Sequence, residues 1–288
     1  MIVQVLESGR ILAIIRGQRE NMGNDMEKEQ MTTIRQQAKK RFADYTAHYD
    51  MAQPKIALKA VHTYHVAELC ERIARDIGLN EEDILVAWMC GLLHDIGRFE
   101  QIRRFNTFSD ADSIDHALLS IQILFGDEEQ AGRIREFMPE DDYDELIDTA
   151  IRYHSAYRLP ENISERQKMF CDILRDADKI DIFRVNLETP MADIYNTTTE
   201  ELRNATVTPE VLQAFYEHHA VLRSLKKTPV DHVVGHISLF YELVYPISKR
   251  IALEQGYLGR LTEFVSDNPD TQQVFAQIRN ELRTGQDV

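Results

Sequence analysis

Five apolar stretches of this chain each offer an imidazole or a carboxylate: AVHTYHVA carries His62 and His65, GLLHDIG the adjacent pair His94 and Asp95, IDHALL His116, AIRYHSA His154, and ILRDADKIDIF Asp176, Asp178 and Asp181. Nitrogen and oxygen donors without thiolates suit Mn, Fe, Co, Ni or Zn, with Mg also admitted, and are typical of a catalytic metal site. Each piece has a plainer reading. A lone helical histidine is more often a hydrogen-bonded packing residue than a ligand. GLLHDIG alone could be a capped helix end, and ILRDADKIDIF a helix with surface Asp–Lys pairs. The ordered set changes this, because ionised aspartates in an apolar frame are costly unless a cation or hydrogen bonds compensate them.

The periodicity that must position these groups is helical almost throughout. Residues 54–77 carry apolar positions at helical spacing and stop at Gly78. Asn80 with Glu81, Glu82 and Asp83 then forms a capped, acidic helix start. That helix is apolar on both faces and is expected to be buried, running to the His94-Asp95 pair. Residues 99–113 break the pattern and read as a loop rich in aromatics and arginines. Helices are expected again at 113–125, 128–137, 143–154 and 164–184, with Pro160 in the loop before the last. Thr208-Pro209-Glu210 opens a further helix, and 230–255 reads as a long one bent at Pro246. The fold class is all-α, with no strand pattern and no repeat.

The chain has 288 residues, 43% hydrophobic and 28% charged, an ordinary globular balance with room for one large domain or a core with an extension. A net charge of −15 argues against general nucleic-acid binding, which needs clustered Lys and Arg, but leaves room for a local basic pocket. Cys70, Cys90 and Cys171 lack metal-type spacing and read as buried thiols in a reducing compartment. No run reaches the roughly 18 apolar residues of a membrane span. The apolar start is broken by Glu7, Ser8, Gly9 and Arg10 with no small-residue cleavage site after it, so a secretory signal is not expected. The resulting expectation is a cytoplasmic protein.

In order and context these residues resemble the HD superfamily of metal-dependent phosphohydrolases, whose pattern is H…HD…H…H…D. The matching pieces are HTYHVA, LLHDIG, DHALLS, IRYHSA and RDADKID, spread over about residues 55–185. Residues 1–30 read as a disordered or loosely attached segment and the helical pattern over 186–288 as an extension packed on the core; between them the resemblance implies an HD-type helical bundle over 31–185. It further implies two divalent transition ions per chain. His62, His94, Asp95 and Asp178 would hold one; His116 and His154, with Asp95 bridging, the second. His65 is one turn from His62 and Asp181 one turn past Asp178, but HxxxVA and ADKID favour His62 and Asp178. Asp176 and Asp181 would orient ligands or form ion pairs. Adjacent His94 and Asp95 at a helix end, about 100° apart around the axis, could converge on a metal pair. Gly91 is expected to let other backbone approach closely, and Gly97 to let the chain turn away.

The activity so implied is hydrolysis of a phosphate ester, in the first place of a nucleotide or related small molecule, by attack of a metal-activated hydroxide. Asp95, Arg98 and Lys179 are the candidate catalytic residues, and Arg98, Arg103 and Arg104 the candidates for holding the phosphate. Solvated charge is the plainer reading of Arg103, Arg104 and Lys179. Phe99, Phe105 and Phe108 could stack a base or anchor the loop. His48, His218, His219, His232 and His236 lie outside the pattern and read as surface or packing histidines. Expected partners are the small phosphorylated substrate and, compatibly, further copies of the chain, with neither nucleic acid nor membrane. Two other classes share the ligand set: an HD-fold diiron oxygenase, and a non-catalytic nucleotide-sensing module signalling through the C-terminal helices.

Overall fold

The computed structural model describes residues 29–127, 130–190 and 197–284, so most of the expected N-terminal segment lies outside the described residues. Helix α1 covers 29–46. It is followed by α2 (Pro54–Asp76), α3 (Glu81–Leu93), α4 (Ile96–Phe105), α5 (His116–Phe125), α6 (Asp144–Tyr153) and α7 (Glu165–Glu188). Beyond these lie α8 (Thr199–Asn204), α9 (Pro209–Tyr216), α10 (Pro229–Ile237), α11 (Pro246–Glu254), α12 (Tyr257–Leu261) and α13 (Pro269–Thr284). Among the described residues there is no strand, only an isolated bridge between Gly126 and Ala131, so the fold is all-α.

Local chemistry sets the boundaries of the elements that matter. Pro54 opens α2 and Gly78, at φ +79°, follows its end. The Asn80 side chain accepts from the Asp83 amide to start α3, and Asp115 accepts from Ala117 and Leu118 to start α5. Ser164 and Gln167 form a reciprocal capping box at α7. As its two apolar faces require, α3 is buried from Asp83 to Leu93. Gly91 allows it close against α2: a β-carbon there would lie 2.6 Å from Ala67 Cα and 2.9 Å from Ala67 N. Helix α7 packs on α2, α3 and α6 and also on α11 and α12. One hydrophobic core runs through these elements, from Ala38 and Phe42 in α1 to Ile278 and Leu282 in α13.

Four expectations are corrected. The stretch from Phe99 is helical as far as Phe105, because Ile96, Phe99 and Ile102 repeat at three-residue spacing and are buried, while Glu100 pairs with Arg103 and Arg104 along the other face. Asn106, in the left-handed region at φ 51°, ends that helix. Gly97 does not turn the chain. It is a helical residue where α4 meets α5, and a β-carbon would sit 2.6 Å from Ser120 N and 2.7 Å from His116 O. In place of a helix over 128–137, the described part holds only the 3-10 turn Ile134–Glu136. The long helix over 230–255 is broken: α10 passes into the 3-10 segment Ser238–Glu242, and Pro246 begins α11. Proline forces Tyr245 into an extended conformation, and the buried Asp176 carboxylate accepts from the freed amides of Val244 and Tyr245, each at 3.0 Å.

Candidate metal centre

Three helix junctions and two helix faces deliver the ligand candidates to one place. His62 lies on the buried face of α2, and His94 is the last residue of the α3 turn. Asp95, at φ −108° and ψ 18°, is the hinge from which α4 departs. His116 opens α5, His154 closes α6, and Asp178 lies midway along α7. All four histidines and Asp95 are buried. His62, His94 and Asp95 bring ligand atoms within 4.8 Å of one another, as do Asp95, His116 and His154. Asp95 is common to both groups. Its Oδ2 lies 3.7 Å from His62 Nε2 and 3.3 Å from His94 Nε2, while its Oδ1 lies 3.6 Å from His116 Nε2 and 3.8 Å from His154 Nε2. Asp178 Oδ1 stands 3.1 Å from His62 Nε2 and 3.9 Å from His94 Nε2.

The far side of each ring explains why the Nε2 atoms face inward. His62 Nδ1 donates to Asp181 Oδ2 at 2.6 Å and His116 Nδ1 to Asp110 Oδ2 at 2.8 Å. His94 Nδ1 donates to Gly91 O at 2.8 Å and His154 Nδ1 to Ile151 O at 2.6 Å. All four partners are acceptors that cannot donate, so Nδ1 carries the proton and the Nε2 lone pair is what remains. Among the described residues, His62 Nε2, His94 Nε2 and Asp95 Oδ1 are buried without a hydrogen-bond partner. A nest of lone pairs and carboxylate oxygens with unsatisfied buried atoms fits a cation and little else.

Residues 60–184 match the family model of the HD domain. This segment is an HD domain. Searches of the curated proteins and of the solved structures each returned no match. The HD domain contributes all six converging residues.

Charge within the HD domain follows from this packing. Burial works against the Asp95 carboxylate, yet Lys59, His94 and Arg98 overcome it and hold its pKa well below the ordinary range. Lys59 Nζ is 2.5 Å from Asp95 Oδ2. Burial, with His116 and His94 alongside, pushes His154 down to about 3. Burial and Lys59 also oppose a proton on His62, but Asp178 and Asp181 outweigh them and raise its pKa. A proton and a metal ion therefore compete for the same nitrogen.

The other candidates fall on both sides of this boundary. His65 is 43% exposed and donates to Asp181 Oδ1 from outside the cluster. Asp181 thus holds two imidazoles, and Arg184 closes its remaining valence. Arg98 and Lys179 line a cavity of about 880 Å³ whose floor includes Asp95, His116, His154 and Asp178. Arg103 and Arg104 do not line it; their side chains are 60% and 49% exposed and pair with Glu100. Phe99 is a core residue packed edge-on against Phe42 and Tyr45. Phe105 is exposed, and Phe108 lies beneath Lys59 and Arg98, at 5.6 and 5.8 Å from its ring centre.

Three participants escaped the sequence reading. Lys59 precedes His62 by three residues, and helical spacing alone places both on one face of α2. Asp110 holds His116 and accepts from Arg98 and Gln101, but it sits in an irregular loop with no period to reveal it. His236, set aside as a packing histidine, lies on the cavity wall together with Arg223, Lys226 and Glu242. All three cysteines are buried free thiols. No helix of the described residues is long and apolar enough to cross a membrane.

Proposed function

We propose that this protein is a metal-dependent phosphohydrolase that cleaves a phosphate ester of a small molecule, a nucleotide being the foremost class, at a dinuclear centre. The observation that carries this reading is the convergence of four Nε2 atoms with the carboxylates of Asp95 and Asp178, a cluster whose Asp95, His116, His154 and Asp178 floor a cavity that also presents Lys59, Arg98 and Lys179. His62, His94, Asp95 and Asp178 would hold one ion; His116, His154 and the shared Asp95 would hold the other. Divalent ions so held make water a nucleophile at neutral pH and neutralise charge on phosphoryl oxygens.

The remaining work belongs to the chain. Asp110 and Asp181 keep Nδ1 protonated on His116 and His62, which fixes both tautomers and aims Nε2 inward. Arg98 is anchored through Nη1 to Phe108 O and Asp110, so its guanidinium is positioned before substrate arrives. The buried Lys179 stands next to Asp178 in sequence, lines the same cavity and would offer the phosphate a second positive charge. Metal content of protein purified without chelator, paired with phosphate release from a panel of nucleotides and phosphoesters under Mn and Fe, tests the reading. About two ions per chain and metal-dependent release, abolished in His116→Ala, support it. Absence of bound or acquired metal overturns it. Iron with oxygen uptake and no phosphate release would instead favour the oxygenase class.

A further inference from the structure

The HD domain supplies the cavity floor, but one wall comes from a segment C-terminal to it. Ala220 to Arg223, Lys226, His236, Leu239 and Glu242 line that wall. The segment is fastened on both sides. Ala220 N donates to Glu242 Oε1, Val221 N donates to Ser238 Oγ, and Tyr157 of the HD domain donates to Ala220 O. Arg223 reaches back toward the metal centre, its Nη1 4.0 Å from Asp110 Oδ2, the oxygen that holds His116.

Lys226 is the unexplained member. Among the described residues its ammonium donates no hydrogen bond and forms no ion pair, although most carboxylates around the cavity are paired. Burial and the neighbouring Arg223 push its pKa down to about 8, so the fold places a cation where it is disfavoured. Gly235 makes that placement feasible: a β-carbon there would fall 2.5 Å from Lys226 Cε and 2.7 Å from Nζ. In a chain of net charge −15, an ammonium on a cavity wall with no ion pair among the described residues calls for an anion from outside.

We propose that Lys226 and Arg223 form a second anion subsite, so that the molecule processed at the HD centre carries a further phosphate group besides the ester that reacts. This rests on the phosphohydrolase reading for its second half only. The subsite itself is built without any metal ligand. A bisphosphorylated small molecule, or one with a phosphate remote from the scissile ester, spans the two positions.

Binding of inorganic phosphate to the full-length protein, measured by calorimetry with and without metal, tests the subsite. The chelator-treated protein is expected to bind one phosphate. Lys226→Met and Gly235→Ala, the latter moving the lysine without removing its charge, are each expected to weaken that binding at least tenfold. The metal-loaded protein should then bind a second phosphate that Lys226→Met retains. No phosphate binding without metal, or binding indifferent to both substitutions at unchanged thermal stability, overturns the subsite. A Lys226-dependent phosphate in a protein that neither takes up metal nor releases phosphate from any ester keeps the subsite and removes the hydrolase reading. Metal-dependent release from a monophosphate, with equal KM for the matching bisphosphate in wild type and Lys226→Met, does the reverse.

Discussion

His116 and His154 present their Nε2 atoms to each other at 3.0 Å while each Nδ1 is committed to an acceptor, Asp110 Oδ2 for one and Ile151 O for the other. Two lone pairs so placed repel unless something positive lies between or beside them. A proton is a poor choice, since burial and the adjacent imidazoles push His154 down to about 3. Asp95 Oδ1, 3.6 and 3.8 Å from the two rings, adds a negative charge to the same spot. A divalent ion would be held by all three residues.

Metal affinity is expected to depend on pH through His62. Its folded pKa is raised, against burial and Lys59, by Asp178 and Asp181. The protonated fraction therefore grows as pH falls through that raised pKa, and an ion bound at Nε2 would have to displace that proton. Affinity should climb with pH and level off above the His62 pKa, with proton release seen as a buffer-dependent calorimetric enthalpy. A flat profile from pH 6 to 9 would show that His62 is not a ligand.

Asp110→Asn should weaken metal binding roughly 10–100-fold with little change in melting temperature. An amide can turn its donor toward His116 Nδ1 and so favour the wrong tautomer, and it removes the carboxylate that faces Arg98 Nη1 at 3.0 Å. Competition against a chromogenic chelator reads the affinity. Unchanged metal content would leave Asp110 a loop-stabilising residue only.

The arginines after the HD pair should separate cleanly. Arg98→Ala is expected to lower phosphate release by about 100-fold or more, as loss of a preorganised charge at a reacting oxyanion does. Arg103→Ala and Arg104→Ala should stay within about twofold of wild type, because exposed pairs of this kind contribute roughly 0–1 kcal/mol to anything. Equal losses in all three would mean that α4 turns its outer face to the substrate.

Gly91→Ala should destabilise the fold by about 1–3 kcal/mol, because overpacking here pushes on backbone and not on a side chain that can swing away. His62 and His94 stand on the two helices forced apart, so metal content should drop together with the melting temperature. Full metal loading in a destabilised Gly91→Ala would show that the two helices can separate without disturbing the centre.

The helices that carry ligand candidates were legible from their apolar periods and, for α2 and α3, from the stop at Gly78 and the cap at Asn80, whereas the caps Asp115 of α5 and Ser164 of α7 emerge only from the side chains that accept helix amides. The pairing of ligands with their orienting partners was less so. Asp181 could be proposed from helical spacing, whereas the carbonyls of Gly91 and Ile151 leave no mark in the residue types. Charge clusters misled: RRF after the HD pair reads as a phosphate-holding loop, and only the burial of Phe99 and Ile102 shows that the arginines must face outward. The cavity wall was hidden for a different reason. Arg223, Lys226 and His236 follow the domain that they complete by some forty residues or more, and contact across that separation has no periodic signature.

Helix α7 carries three acids in six residues, and each answers to a different master. Asp178 faces the ligand cluster, Asp181 grips two imidazoles of α2, and Asp176 ties down the amides of Val244 and Tyr245. The cavity floor and the C-terminal wall thus hang from a single rod. Cutting the chain after α7 would not release a working shorter unit; it would strand a buried carboxylate and fray the rod that holds the ligand cluster. Such an architecture is expected to melt in one cooperative step, and to admit insertions in its outer loops far more readily than any separation of its two halves.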